Sequence, residues 1–107
     1  MDAEQYLPIT NYPKYEVSNL GNVRNKKTGR ILVLNTHAAG YHVVHLCDGI
    51  NKPRQFYVHH LVLNAFVENV DNKKCVDHID GNRGNNKLSN LRYATYQENN
   101  FQQNLVS

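Results

Sequence analysis

The sequence has no long hydrophobic run and no apolar segment at its N-terminus. The longest aliphatic stretch is Ile31–Leu34, whereas a membrane-spanning helix needs about 20 apolar residues. The first residues, Met1-Asp2-Ala3-Glu4, are acidic and unlike a secretory signal. We therefore expect an intracellular protein without a membrane segment.

Cysteine is also scarce. The two cysteines, Cys47 and Cys75, lie far apart and neither belongs to a Cys-x-x-Cys pair. This spacing argues against a structural zinc knuckle. In a chain without a signal peptide, it favours free thiols in a reducing compartment over a disulfide.

The chain is short and mildly basic. Its 107 residues are enough for one small domain or two tightly fused sub-domains. It carries 12 Lys and Arg against 9 Asp and Glu, a net charge of +3. This balance permits a polyanionic partner without requiring one.

The positive charge is concentrated in residues 14–30. Five basic residues face a single acidic one, Glu16, in this segment: Lys14, Arg24, Lys26, Lys27 and Arg30. Such a patch can bind phosphates electrostatically. An ordinary solvated loop would have the same composition, so charge alone leaves both interpretations open.

The first half has the pattern of a small antiparallel β-meander. The Asp48-Gly49 pair is a strong hairpin signal. Alternating or short apolar segments predict strands at Tyr15–Ser18, Val23–Arg24, Ile31–Leu34, Tyr41–Leu46 and Arg54–Val58. We expect the Ile31–Leu34 strand to be buried.

In the second half of the chain, the spacing of apolar residues changes from that of strands to that of a helix. Apolar residues at helical spacing predict a helix over His59–Val67. Short strands are predicted at Cys75–Ile79 and Leu91–Ala94, with a polar loop between them. Thr95 and Glu98 have the spacing of a capping box, which predicts a last helix from about Tyr96 to Asn104.

If the two strands pair, polar residues converge at one end of the hairpin. Asp77 and His78 end the first strand, Asn90 opens the second, and Asn99 lies one turn inside the last helix. Carboxylate and amide oxygens suit Mg²⁺ or Mn²⁺, and a histidine suits a general base. One ion and one base are sufficient to hydrolyse a phosphodiester.

These residues closely resemble the HNH homing endonuclease family. The resemblance is carried by residues 76–82, 85–93 and 98–99, by the helix at 59–66, and by residues 8–24. It implies an α+β fold, in which a small N-terminal antiparallel β-meander is followed by a helix and a ββα-metal nuclease motif. It also implies two modules, a DNA-docking module over 1–55 and the nuclease domain over 56–107.

The resemblance assigns a role to each residue of the constellation. Asp77 would be the first metal ligand and His78 the general base. Asn90 would brace the loop and orient the histidine backbone. Asn99, in place of the last histidine of the motif, would be the second ligand of a single Mg²⁺ or Mn²⁺ ion.

Three residue assignments stay open. Neighbouring residues on a strand point to opposite faces, so Asp80 is the alternative to Asp77 as metal ligand. Arg92 is interpreted either as a phosphate contact or as a member of a surface ion pair. His59 is expected to be a hydrogen-bonded core histidine, with support of the metal-site hairpin from behind as the alternative.

The resemblance implies a metal-dependent endonuclease acting on double-stranded DNA in a virus- or phage-infected host and leaving 5′-phosphate and 3′-hydroxyl ends. DNA contacts are expected from Arg24, Lys26, Lys27 and Arg30, and from Arg83, Lys87 and Arg92. A catalytically inactive DNA-binding remnant and an RNA- or protein-binding module are the alternatives. Both a monomer and a homodimer are compatible with the sequence.

Overall fold

A computed structural model describes residues 3–97. It contains eight strands, one α-helix and one short 3₁₀ helix within that range. The strands are β1 Tyr6–Ile9, β2 Tyr12–Ser18, β3 Val23–Asn25, β4 Asn35–Thr36, β5 His42–Leu46, β6 Arg54–Tyr57, β7 Cys75–His78 and β8 Leu91–Ala94. The helix α1 spans Val58–Phe66, and the 3₁₀ helix spans Leu88–Asn90. The predicted α+β class is confirmed.

The strands form three small antiparallel sheets, ordered β1-β2-β3, β4-β5-β6 and β7-β8. The Asp48-Gly49 hairpin joins β5 to β6 as predicted. Asp48 Oδ1 accepts the backbone amides of Ile50 and Asn51, each at 2.8 Å. This side-chain cap fixes the turn and, with it, the register of the two strands.

The prediction of a buried strand at Ile31–Leu34 is wrong. Ile31 and Val33 are 49% and 81% exposed, and only a single bridge joins Ile31 to Arg24. Leu32 and Leu34 pack against the core. The aliphatic run is therefore an extended segment with one apolar face, and among the described residues its only strand pairing is the bridge from Ile31 to Arg24 of β3.

Helix α1 lies at the centre of the fold. Five of its residues are buried: Val58, His59, Leu61, Val62 and Leu63. It contacts strands of all three sheets, and one hydrophobic cluster runs from Ile9 through Val44 to Leu91. The two predicted modules thus share a core, which fixes the β7-β8 hairpin relative to the N-terminal sheets.

Within residues 3–97, no helix is long and apolar enough to cross a membrane. Both cysteines are free thiols. The predicted helix over 96–104 lies almost entirely outside the described residues, as does Glu98 of its capping box.

Candidate active site

The β7-β8 hairpin brings three of the predicted site residues to one end. Asp77 pairs with Arg92 across the hairpin, and His78, the last residue of β7, pairs with Leu91. Asn90 immediately precedes β8 and is not part of the strand pairing. Its carbonyl accepts a hydrogen bond from the Ile79 amide at 2.8 Å. Asp77, His78 and Asn90 are 6%, 6% and 8% exposed, so their orientations are held by packing.

The His78 ring is oriented by Asn86. His78 Nε2 lies 2.9 Å from Asn86 Oδ1, and Asn86 is only 5% exposed. An amide oxygen only accepts hydrogen bonds, so Nε2 carries the hydrogen and the neutral ring keeps its lone pair on Nδ1. Within residues 3–97, Nδ1 has no hydrogen-bond partner, which leaves it available to take up a proton.

Asn86 was not predicted as a site residue. Its signal in the sequence is weak, because it is one of 16 asparagines, and its place opposite the histidine ring depends on the path of the loop. The structure nevertheless makes it the polar partner of His78 among the described residues.

His59 of α1 packs behind the His78 ring. The His59 and His78 rings are 4.7 Å apart in an edge-to-face arrangement, as the alternative interpretation of His59 predicted. The expected hydrogen bond is absent at Nδ1, which is buried without a partner in the described part of the chain. Burial, with smaller contributions from His60 and His78, lowers the pKa of His59 to about 3. A neutral His59 adds no positive charge beside His78 at neutral pH.

Asp77 forms an ion pair with Arg92. Arg92 Nε and Nη2 lie 3.0 and 2.9 Å from the same oxygen, Asp77 Oδ2. The ion-pair interpretation of Arg92 is therefore the one observed. The guanidinium remains about half exposed, so it also faces solvent.

Asp80 is engaged in bracing the loop. Its Oδ1 accepts the Asn82 amide at 2.8 Å and Asn90 Nδ2 at 2.9 Å, and its Oδ2 accepts Asn85 Nδ2 at 2.9 Å. These hydrogen bonds, with that from Asn85 the largest cause, lower the pKa of Asp80.

The Asn90 side chain also braces this loop through hydrogen bonds. Its Oδ1 accepts the Asp80 amide at 3.0 Å, and its Nδ2 also donates to the Asn85 carbonyl at 2.9 Å. The side chain thus contacts the backbone at Asp80, two residues beyond the histidine that it was expected to orient.

The carboxylate of Asp77 has the chemistry of one ligand for a hard divalent ion, because its Oδ1 has no hydrogen-bond partner within residues 3–97. In the same range, no group of three or more His, Cys, Asp or Glu side chains is arranged to hold a metal ion. Further ligands must come from solvent, substrate or other residues. Asn99, the second predicted ligand, lies outside the described residues.

The basic residues predicted to bind DNA differ in their surroundings. Arg24 is engaged, since its Nε lies 2.7 Å from Glu16 Oε1 and its guanidinium stacks on Tyr6 at 3.6 Å. Arg83 donates to the Ala39 carbonyl at 2.6 Å and lies over Tyr41. The remaining residues are exposed and appear in no ion pair of the described range: Lys26, Lys27, Arg30 and Lys87.

Two family models match the chain in succession. The NUMOD4 motif covers residues 4–47, and the HNH endonuclease model covers residues 56–101. The solved structure of the HNH homing endonuclease I-HmuI, which addresses DNA binding and cleavage by that enzyme, superimposes with a TM-score of 0.82 and 37% identity over 95% of this chain. The chain belongs to the HNH homing endonuclease family.

Relatives of the chain occur in phages and in a mimivirus. The DNA endonuclease I-HmuI of Bacillus phage SP01 is 41% identical over 79% of this chain, and the H-N-H endonuclease F-TflII of Escherichia phage T5 is 30% identical over 92% of it. An HNH endonuclease of Acanthamoeba polyphaga mimivirus, L247, is 41% identical over 87% of it.

The chain spans only part of these HNH proteins. The matched region is 24% of L247, 48% of I-HmuI and 51% of F-TflII, and it is 58% of the solved I-HmuI chain. The N-terminal sheets and the nuclease motif are therefore the shared part.

Proposed function

We propose that this chain is a metal-dependent endonuclease that hydrolyses a phosphodiester of double-stranded DNA, with His78 as the general base. The observation that carries the proposal is the hydrogen bond from His78 Nε2 to Asn86 Oδ1 at 2.9 Å. It leaves Nδ1 as the proton acceptor in a ring that is held in place by packing.

In this proposal His78 Nδ1 takes a proton from the attacking water, whose oxygen forms the new bond to phosphorus as the bond to the 3′ oxygen breaks. The departing 3′ oxygen takes a proton from solvent, so the products are a 5′-phosphate and a 3′-hydroxyl end. His59 stays neutral beside the ring, so it does not oppose the positive charge that His78 acquires.

Asp77 and Asn99 would hold one Mg²⁺ or Mn²⁺ ion. When bound, such an ion stabilises negative charge on the departing 3′ oxygen. Asp77 Oδ1 has no hydrogen-bond partner in the part of the chain that the structure describes, and this supports Asp77 over Asp80, because the hydrogen bonds of the Asp80 carboxylate brace the loop.

DNA would be held by exposed cations, and the DNA endonucleases among the relatives support this partner. Lys26, Lys27 and Arg30 have the exposure that a phosphate contact requires. The phage and viral sources of the relatives support an infected host cell as the place of action.

Mg²⁺-dependent relaxation of supercoiled plasmid tests the proposal, with wild type beside His78→Ala. Nicking by wild type and its loss in the variant are expected. Tight DNA binding without any nicking by wild type would instead identify an inactive DNA-binding remnant.

A further inference from the structure

A tight turn of the N-terminal sheet lies directly against the loop that carries Asn86. The turn spans residues 18–22, between β2 and β3. Ser18 is fully buried, and its Oγ accepts the backbone amides of Leu20 and Asn22 at 3.2 and 3.1 Å. The Ser18 amide donates to the Asn22 carbonyl at 2.8 Å. These bonds hold the turn in one conformation.

The turn is also anchored on its outer side. Asn19 Oδ1 accepts the Gln5 amide at 2.7 Å, and Asn19 Nδ2 donates to the Ala3 carbonyl at 3.1 Å. The position of the turn is therefore fixed relative to the segment that precedes β1.

Two contacts join this turn to the loop before β8. The Leu88 amide donates to the Asn19 carbonyl at 2.8 Å. Gly21, at φ +90°, lies so close that a Cβ built on it would be 3.1 Å from Asn86 Cβ and 3.2 Å from the Asn86 carbonyl oxygen. Only glycine allows both this backbone conformation and this approach.

The contacts form a chain that ends at the proposed base. Gly21 abuts the backbone and Cβ of Asn86, and Asn86 Oδ1 receives the hydrogen bond of His78 Nε2. We propose that the 18–22 turn is a positioning element for catalysis, in which Gly21 fixes Asn86 and thereby the His78 ring. This inference rests on the proposed role of His78 as general base.

In this proposal the N-terminal module has a second role beside the docking of DNA, which is to position the His78 ring. A displacement of a few tenths of an ångström at Asn86 moves the atom that orients the ring. Because misplacement of a catalytic group by about 1 Å can cost on the order of 100-fold in rate, a smaller shift should reduce the rate constant of cleavage by about 10-fold. DNA affinity should change little, because neither Gly21 nor Asn86 is charged.

Gly21→Ala is the test variant, and Gly49→Ala is its matched control. Gly49 has nearly the same backbone angle, φ +85°, but the atom nearest a Cβ there is the flexible end of Lys14, at 3.4 Å. Both variants carry the same strain of alanine at positive φ. They differ in whether the new methyl group meets Asn86.

Single-turnover cleavage of plasmid with Mg²⁺ gives the rate constant at saturating protein and the half-saturating concentration. The variants are compared at a temperature where circular dichroism shows each to be folded. We expect Gly21→Ala to lower the rate constant about 10-fold with an unchanged half-saturating concentration, and Gly49→Ala to stay within about 2-fold of wild type.

A double-mutant cycle separates positioning from general loss of stability. In an Asn86→Ala background the link to His78 is already cut, so Gly21→Ala should have no further effect on the rate constant. If Gly21→Ala does not fold, Asn19→Ala, which loosens the same turn, takes its place in the cycle with the same expectation.

Equal rate constants for the Gly21 and Gly49 variants would overturn the inference, as would an undiminished Gly21 effect in the Asn86→Ala background. Both outcomes leave the proposed function intact, since His78→Ala measured in parallel reports on it separately. Near-wild-type cleavage by His78→Ala would overturn both.

Discussion

Arg92 contacts only one of the two oxygens of the Asp77 carboxylate. Its Nε and Nη2 both approach Oδ2, at 3.0 and 2.9 Å, and Oδ1 has no hydrogen-bond partner within residues 3–97. The ion pair thus orients the buried carboxylate and partly offsets its charge, while the second oxygen stays available for an ion.

Arg92→Gln should destabilise the fold, because it leaves Asp77 buried without its cation. With Arg92 about half exposed, we expect a loss of about 1–2 kcal/mol in the free energy of unfolding by urea. Arg92→Lys keeps the charge without the planar two-nitrogen contact and should recover part of the loss. If Arg92→Gln unfolds with the same free energy as wild type, the ion pair between Arg92 and Asp77 does not stabilise the fold.

Asp77→Ala should impair cleavage, whereas Asp80→Ala should impair the stability of the fold. Asp77→Ala should abolish Mg²⁺- or Mn²⁺-supported cleavage while DNA binding persists or tightens, because a carboxylate near the phosphates is removed. Asp80→Ala should lower the unfolding temperature, because Asn82, Asn85 and Asn90 lose their acceptor. Metal titrations of cleavage and thermal unfolding check both. Normal cleavage by Asp77→Ala would transfer the ligand role to Asp80.

His59 should make the stability of the protein depend on pH. Its pKa is about 3 in the folded chain and near 6.5 in the unfolded chain. Between these values the unfolded chain binds a proton that the folded chain does not, so stability falls as the pH is lowered from about 6.5 towards 3. Through His59 alone, the free energy of unfolding should be about 2 kcal/mol lower at pH 5 than at pH 7.5.

Urea unfolding of His59→Phe at both pH values isolates this effect. The variant should lose less stability between pH 7.5 and 5 than wild type does, whatever its stability at pH 7.5. His45→Phe, at an exposed position of β5, should behave like wild type. An unchanged pH dependence in His59→Phe would mean that folding does not lower the pKa of His59.

The exposed basic residues of the 14–30 segment should contribute to DNA binding. Each phosphate contact adds about −0.9 to the slope of log K against log salt on duplex DNA. Neutralising Lys26, Lys27 and Arg30 together should therefore flatten the slope by up to roughly two to three units. Cleavage of the saturated complex should change little.

Neutralising Lys52 and Lys74, two exposed lysines outside this segment, provides the control for the salt titration. An unchanged slope in the triple variant would identify the segment as a solvated loop. Arg24 is left in place in this variant, because its ion pair with Glu16 also supports the β2-β3 pair.

The sequence predicted local elements well where pattern and turn chemistry agree. Strand β8 has the predicted bounds, and α1, β5, β6 and β7 differ from theirs by one residue. Strand β1, Tyr6–Ile9, was not predicted from periodicity. It contains Pro8 and has only one buried residue, Ile9, so it lacks the alternation that indicates a strand. Its pairing with β2 decides its conformation.

The site was predictable as far as single residues carry a chemical signature. Asp77, His78 and Asn90 were predicted to converge, and the hairpin register brings them to one end. The role of Asn86 was not predictable, since it depends on how a loop of several asparagines folds back. His59 Nδ1, which has no hydrogen-bond partner among residues 3–97, likewise depends on tertiary packing, because periodicity shows only that the residue lies on an apolar face.

Single-turnover cleavage of supercoiled plasmid by wild type and His78→Ala, each with Mg²⁺ or Mn²⁺ and each with EDTA, tests the central claim most directly. Removal of a general base typically costs about 10²–10⁴-fold in rate. We expect metal-dependent nicking by wild type, a loss of that size in His78→Ala, and unchanged DNA binding in the variant. Cleavage by His78→Ala near the wild-type rate would contradict the account.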